Sequence, residues 1–241
     1  MPALPRPSPS ALALVLLGLA CGACASSRPS SEPRELVVLV HGMGRTTLSM
    51  AALDVGLRRA GYRVLNVGYS SQGPGVAEIG RRLDDAVDRA VAEEVPPRVH
   101  FVGHSLGTVV VRWLLANDPP GVPGRAVFLA PPNRGARAAD RWAGGVGWAL
   151  PPIRELRTGG GTAVALGAPP RTEVAVIAGS RDGKVAVEET CLEGAAHAVV
   201  PSGHTVIMLR PRVVRMVRHF LATGVLPGAS DAACAGVLAA D

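Results

Sequence analysis

The chain has 241 residues, 48% of them hydrophobic and 3% aromatic, with a formal charge of +6. That is enough apolar chain for one sizeable core, too hydrophobic for disorder, and too poor in aromatics for a base-stacking surface. Its basic residues are arginines apart from Lys184 and are scattered, so no stripe for nucleic acid is present, while weak attraction to an anionic membrane or substrate stays open.

Residues 1–25 read as an export signal: Arg6 precedes an apolar run at 11–20 that is too short to span a bilayer, and small residues follow. Two processing routes fit. Ala23-Cys24-Ala25 has the form of a cleavage site, and Gly18-Leu19-Ala20-Cys21 resembles a lipoprotein signal that would make Cys21 a lipid-bearing membrane attachment, although Gly18 stands where a larger aliphatic residue is usual. Either route implies a periplasmic, secreted or lipid-anchored protein in an oxidising compartment. There Cys191 and Cys234 have two options: a disulfide that ties down the tail at 224–241, or two free thiols.

Residues 26–34 are a Ser/Pro-rich linker, and the domain expected over 35–223 opens on the continuous apolar run 35–40, a buried-strand pattern. A helical stretch over 49–60 follows, then a strand at 63–67 and an amphipathic helix over 75–94 with Val76, Ile79, Leu83, Val87 and Val91 as its stripe. The strand 99–102 runs into Gly103-His-Ser-Leu-Gly107 and a helix over 106–117. A strand at 125–130 comes next. Between 133 and 170 the periodicity is lost among glycines, prolines, Trp142 and Trp148, which is where a short cap over a site belongs. Strands at 174–178 and 195–200 and a closing helix over 205–221 complete the domain. Strands alternating with helices at this spacing describe an α/β, doubly wound and mostly parallel sheet.

Ser105 sits on the strand-to-helix turn. Such a turn leaves no room for side chains at Gly103 and Gly107, and it aims the helix's first N–H groups at whatever the hydroxyl attacks. A serine nucleophile needs a base, and the base an orienting acid, each supplied at the C-terminal end of a strand. Asp182 follows the strand 174–178 within a Gly-flanked turn. His204 follows the strand 195–200 and the turn Pro201-Ser-Gly203. Among the other histidines, only His197 competes, and its mid-strand position suits a buried imidazole hydrogen-bonded to backbone. Asp140, Glu188 and Glu189 lack the strand-turn setting of Asp182. The loop His41-Gly42-Met43-Gly44 ends the first strand, and its Met43 amide can pair with that of Leu106 as an oxyanion hole, with Gly42 keeping the approach open.

The segments Val37-Val-Leu-Val-His-Gly-Met-Gly-Arg45, Val102-Gly-His-Ser-Leu-Gly107, Ala130-Pro-Pro-Asn-Arg-Gly135, Asp182-Gly-Lys-Val-Ala-Val-Glu188 and Ala198-Val-Val-Pro-Ser-Gly-His-Thr205 together resemble bacterial α/β-hydrolases of the small lipase and esterase kind. The resemblance covers about residues 36–221. It implies an α/β-hydrolase fold with Ser105 as nucleophile, Asp182 as acid and His204 as base. The compact stretch before Val174 departs from lipases with a large inserted lid, which puts activation at bulk lipid in doubt.

The expectation is a serine hydrolase cleaving a small-molecule or lipid carboxylic ester through a covalent acyl-enzyme, requiring no metal or organic cofactor. The same three side chains would serve a phospholipase, thioesterase, amidase or acyltransferase, and a non-catalytic envelope lipoprotein with a relic site is the rival outside enzymes. Trp142 and Trp148 either line the substrate pocket or pack in the core. Arg45 either reaches an anionic head group or is a surface charge. Natural substrate, acyl length and oligomeric state stay open.

Overall fold

The computed structural model describes residues 33–145 and 150–239. The expected export signal with Cys21, nearly all of the linker, and Trp148 lie outside the described residues.

Six strands, β1 (Leu36–Val40), β2 (Arg63–Val67), β3 (Val99–His104), β4 (Pro123–Leu129), β5 (Val174–Gly179) and β6 (Ala196–Val200), form one sheet in the order β2-β1-β3-β4-β5-β6. Every pairing is parallel. Parallel strands need crossovers, and this chain supplies helices, so both faces of the sheet are covered and β1, β3 and β5 are buried along their whole length. Side chains alternate between the faces. From β1, Val38 and Val40 pack with α2 (Val76–Glu93) and α3 (Leu106–Asn117), whereas Val37 and Leu39 pack with α1 (Ala51–Arg59) and the last long helix. This is the doubly wound arrangement expected, with all six C-terminal strand ends on one rim.

Two expected helices divide. Residues 47–50 form a 3-10 turn before α1, and the expected closing helix is a 3-10 segment, His204–Leu209, followed by a helix at Pro211–Thr223. The break follows from Pro211, which has no N–H to donate and holds Arg210 in an extended conformation at ψ 123°. The break puts His204 on a short segment of its own, before the helix rather than at its first turn.

The irregular stretch 133–170 contains three short helices among its described residues, α4 (Arg137–Ala143), α5 (Pro151–Glu155) and α6 (Thr162–Ala165), so the Pro211–Thr223 helix is α7. Arg112, 1% exposed on α3, pins this cap. Its guanidinium donates to the carbonyls of Ala163 (3.0 Å) and Gly167 (3.2 Å) and to Asn133 Oδ1 (3.2 Å). Burial without a carboxylate partner pulls its pKa down to about 10. A second tie is Glu155, whose carboxylate accepts from the Val76 amide at 2.7 Å and so satisfies a free N–H at the start of α2. Beyond α7 the tail returns to the domain: Cys191 and Cys234 form a disulfide across 43 residues of sequence, the first of the two options left open for these cysteines.

Candidate active site

Ser105 has φ 52° and ψ −124°, a left-handed φ that a serine adopts only where its surroundings enforce it. The enforcing contacts are visible at the glycines. A Cβ on Gly107 would lie 2.3 Å from the Val40 carbonyl oxygen, and one on Gly103 would lie 2.8 Å from the Thr108 Cα. The Gly42 position is equally tight, 2.9 Å from His104 Nδ1 and 3.1 Å from Ser105 Cβ. The crowding expected of an elbow is therefore present on both sides of the serine, and the β1 loop packs directly against it.

The structure brings Ser105, His204 and Asp182 together. His204 Nε2 lies 2.9 Å from Ser105 Oγ, and His204 Nδ1 lies 2.7 Å from Asp182 Oδ2. A carboxylate only accepts, so Nδ1 carries the proton and Nε2 presents a lone pair to the serine hydroxyl. The other Asp182 oxygen accepts from the Lys184 amide at 2.8 Å and the Val185 amide at 2.9 Å. Burial alone would raise the Asp182 pKa. The hydrogen bonds and charge of His204, with those two amides, outweigh it and hold the carboxyl below the usual carboxylate range.

The rivals lie elsewhere. His197 is buried in β6 with Nε2 2.8 Å from Thr190 Oγ1, so its partner is a side-chain hydroxyl and not the backbone expected. A hydroxyl on the preceding loop comes into reach because residues 187–190 form a 3-10 turn beside β5, the strand that β6 pairs with. Asp140 accepts from Thr158 and Arg157 within the cap, and the Glu189 carboxylate accepts from the Ala186 and Arg137 amides.

Three neighbours carry roles that sequence reasoning missed. His104 does turn from Ser105, and its Nε2 meets the His204 carbonyl oxygen at 3.0 Å, with the rings 5.0 Å apart. Burial, then the charge of His204, pulls its pKa down to about 3, so it is a neutral donor that props the backbone of His204. Tyr69 stacks on His41 at 4.2 Å and donates its hydroxyl to the His41 carbonyl, and Ser71 Oγ accepts from the Gly44 amide at 2.8 Å. Those bonds brace the 41–44 loop. Neither the Met43 nor the Leu106 amide has a hydrogen-bond acceptor among the described residues, so both are free to serve an incoming oxygen.

A cavity of about 330 Å³ opens onto Ser105 and His204. Its walls are apolar, built from Met43 and Pro132 beside the elbow and from Ala139, Trp142, Ile153 and Leu156 in the cap. Trp142 is 61% exposed at this cavity, which decides its role in favour of the pocket over the core. Among the described residues one cluster has metal-ligand character, Cys191, His197 and Cys234, and its sulfurs are bonded to each other.

A six-stranded parallel sheet with a serine on the elbow after its third strand, and an acid and a histidine after its fifth and sixth, is the α/β-hydrolase fold. Residues 30–121, which include the β1 loop and the elbow but neither Asp182 nor His204, match the family model described as "Putative serine esterase (DUF676)". Among solved structures, the chain is similar to the Bacillus licheniformis lipase BlEst2 in mature form at 16% identity and TM-score 0.63, over 75% of this chain and 90% of that one. In its propeptide form the same lipase aligns at 17% identity and TM-score 0.68, over 79% of this chain and 52% of that one. Phospholipase PlaB from Legionella pneumophila aligns at 18% identity and TM-score 0.56, over 69% of this chain and 53% of that one. The chain thus spans about half the length of the latter two. No curated protein matches it. The family match and these neighbours support a hydrolase of the lipase and esterase type.

Proposed function

We propose that the protein is a serine hydrolase that cleaves carboxylic esters. The observation carrying this reading is the unbroken line Ser105 Oγ, His204, Asp182, with hydrogen bonds of 2.9 and 2.7 Å, at the floor of an apolar cavity. His204 Nε2 takes the serine proton as Oγ adds to the ester carbonyl. Asp182 holds the ring in the productive tautomer and stabilises the imidazolium. The tetrahedral oxyanion is received by the free amides of Met43 and Leu106, the second of them at the N-terminus of α3 where the helix dipole also favours negative charge. His204 returns the proton to the departing alcohol and then activates the water that releases the acid from Ser105.

The substrate's apolar part occupies the cavity, which suits a small-molecule or lipid ester. The Cys191–Cys234 disulfide supports export to an oxidising compartment, in keeping with the signal expected at 1–25 and with attachment through Cys21 as one route. A panel of p-nitrophenyl esters graded by acyl length, run beside a phospholipid, a thioester and an amide, tests the reaction class. Ester turnover that disappears in Ser105→Ala supports the reading. A folded wild-type protein inert toward every ester contradicts it and favours a binding role.

A further inference from the structure

We infer that the site selects amphiphilic esters bearing a negative charge, with Lys184 binding that charge at the cavity mouth. This rests on the proposed hydrolysis and adds the substrate class. Lys184 is the sole lysine of the chain and, beside the Ser105–His204 pair, stands in an otherwise apolar lining that holds no carboxylate. Its backbone is fixed, because its amide donates to Asp182 and the following Val185 is buried. Its side chain is exposed and makes no ion pair among the described residues. A fixed Cα with an uncommitted ammonium on a flexible stem is a point-charge receptor for a carboxylate or phosphate.

Sheet order strengthens the argument. The elbow follows β3, with the β1 loop on one side and, beyond β4, the β5 loop on the other. Lys184 stands on the β5 side. Arg45, also without an ion-pair partner among the described residues, stands on the β1 side, where its charge is felt at His104. Positive charge therefore stands on the loops after both β1 and β5, with Lys184 in the cavity wall, and Asp182 is committed to His204 and two amides. An ester whose chain fills the cavity leaves its polar end at this rim. Chain and charge together define an anionic amphiphile.

The test compares the decanoyl esters of glycerol, glycerol 3-phosphate and glycolate, with release of decanoate followed by titration. The two anionic esters should show kcat/KM about tenfold above the glycerol ester at low salt, carried in KM, with the advantage shrinking above ~0.5 M salt. Lys184→Met should remove most of the preference, Lys184→Arg should keep it, and Lys184→Glu should invert it. A preference for phosphate alone or carboxylate alone identifies the source of the charge. Equal kcat/KM for all three esters, or a preference intact in Lys184→Met, overturns the inference while leaving ester hydrolysis standing. If no ester turns over, the inert ethers 1-O-decylglycerol and 1-O-decylglycerol 3-phosphate still decide. Calorimetry on Ser105→Ala protein should find the phosphate bound about tenfold more tightly, and equal binding would refute the anion site.

Discussion

At the elbow the constraints on Ser105 come from within five residues of it and from the adjacent β1 loop: the positive φ, the carbonyls of Val40 and His41 against Gly107, and the backbone of Thr108 against Gly103. The cap is held from far away. Arg112 reaches across 51 residues to Ala163, and Glu155 across 79 to the start of α2. Steric exclusion by backbone admits no alternative at the elbow, whereas the cap adds to the burial of Ile153, Leu156 and Ala163 a set of long-range polar contacts that substitutions can remove one at a time. In the proposed hydrolase, a rigid elbow under a separately anchored wall would let substrate range change without disturbing the chemistry.

Substitutions should divide along that line. The largest effect belongs to the relay: Ser105→Ala and His204→Ala should each lower kcat by about 10⁴-fold or more with the fold intact, while His197→Ala keeps most turnover and loses stability instead. Steady-state kinetics beside circular dichroism checks this, and an inactive, well-folded His197→Ala with an active His204→Ala would break the assignment. Opening the Cys191–Cys234 link by double replacement with serine should cost up to about 4 kcal/mol in urea unfolding, from the loop it closes, with activity at 25 °C retained. Arg112→Met should cost about 2 to 3 kcal/mol, because two buried acceptors, on Asn133 and Ala163, lose their donor. It should also raise KM for ester more than it lowers kcat. Equal losses in both would mean that the cap positions the relay as well as the substrate.

The juxtaposition of Ser105, Asp182 and His204 was legible because each is announced within a few residues: a β-branched strand ending on Gly103, an Asp in a Gly-flanked turn after a strand, a His just past a Pro-Ser-Gly turn. The mostly parallel sheet with helices on both faces followed from alternation, and the strand order did not. What stayed hidden depends on contacts distant in sequence. Nothing near Arg112 distinguishes it from a surface arginine, and Tyr69 shows no sign of bracing a loop 28 residues earlier. The split of the closing helix was readable at Pro211 and was overridden by the apolar periodicity around it.

Buried histidines give a smaller, pH-dependent contrast. His104 has its pKa near 3 in the folded protein against an ordinary 6.5, chiefly through burial, and His100 and His197 are shifted in the same direction. Between those limits the unfolded chain holds the proton and the folded one does not, so stability rises with pH and is lost as pH falls from 6.5 toward 3. One such group contributes a slope of about 1.4 kcal/mol per pH unit. His104→Asn should flatten the profile of unfolding free energy by that amount between pH 6 and 4. An unchanged slope would mean that His104 is protonated in the native protein.

The central claim is that Ser105 is a nucleophile activated by His204. A fluorophosphonate probe reports this directly, because it phosphonylates an activated serine and leaves an ordinary one alone. Mass spectrometry of the labelled protein should find one adduct, on the peptide containing Ser105, absent from Ser105→Ala and strongly slowed in His204→Ala. A folded wild-type protein that takes up no probe, or takes it up on a different serine, would contradict the account.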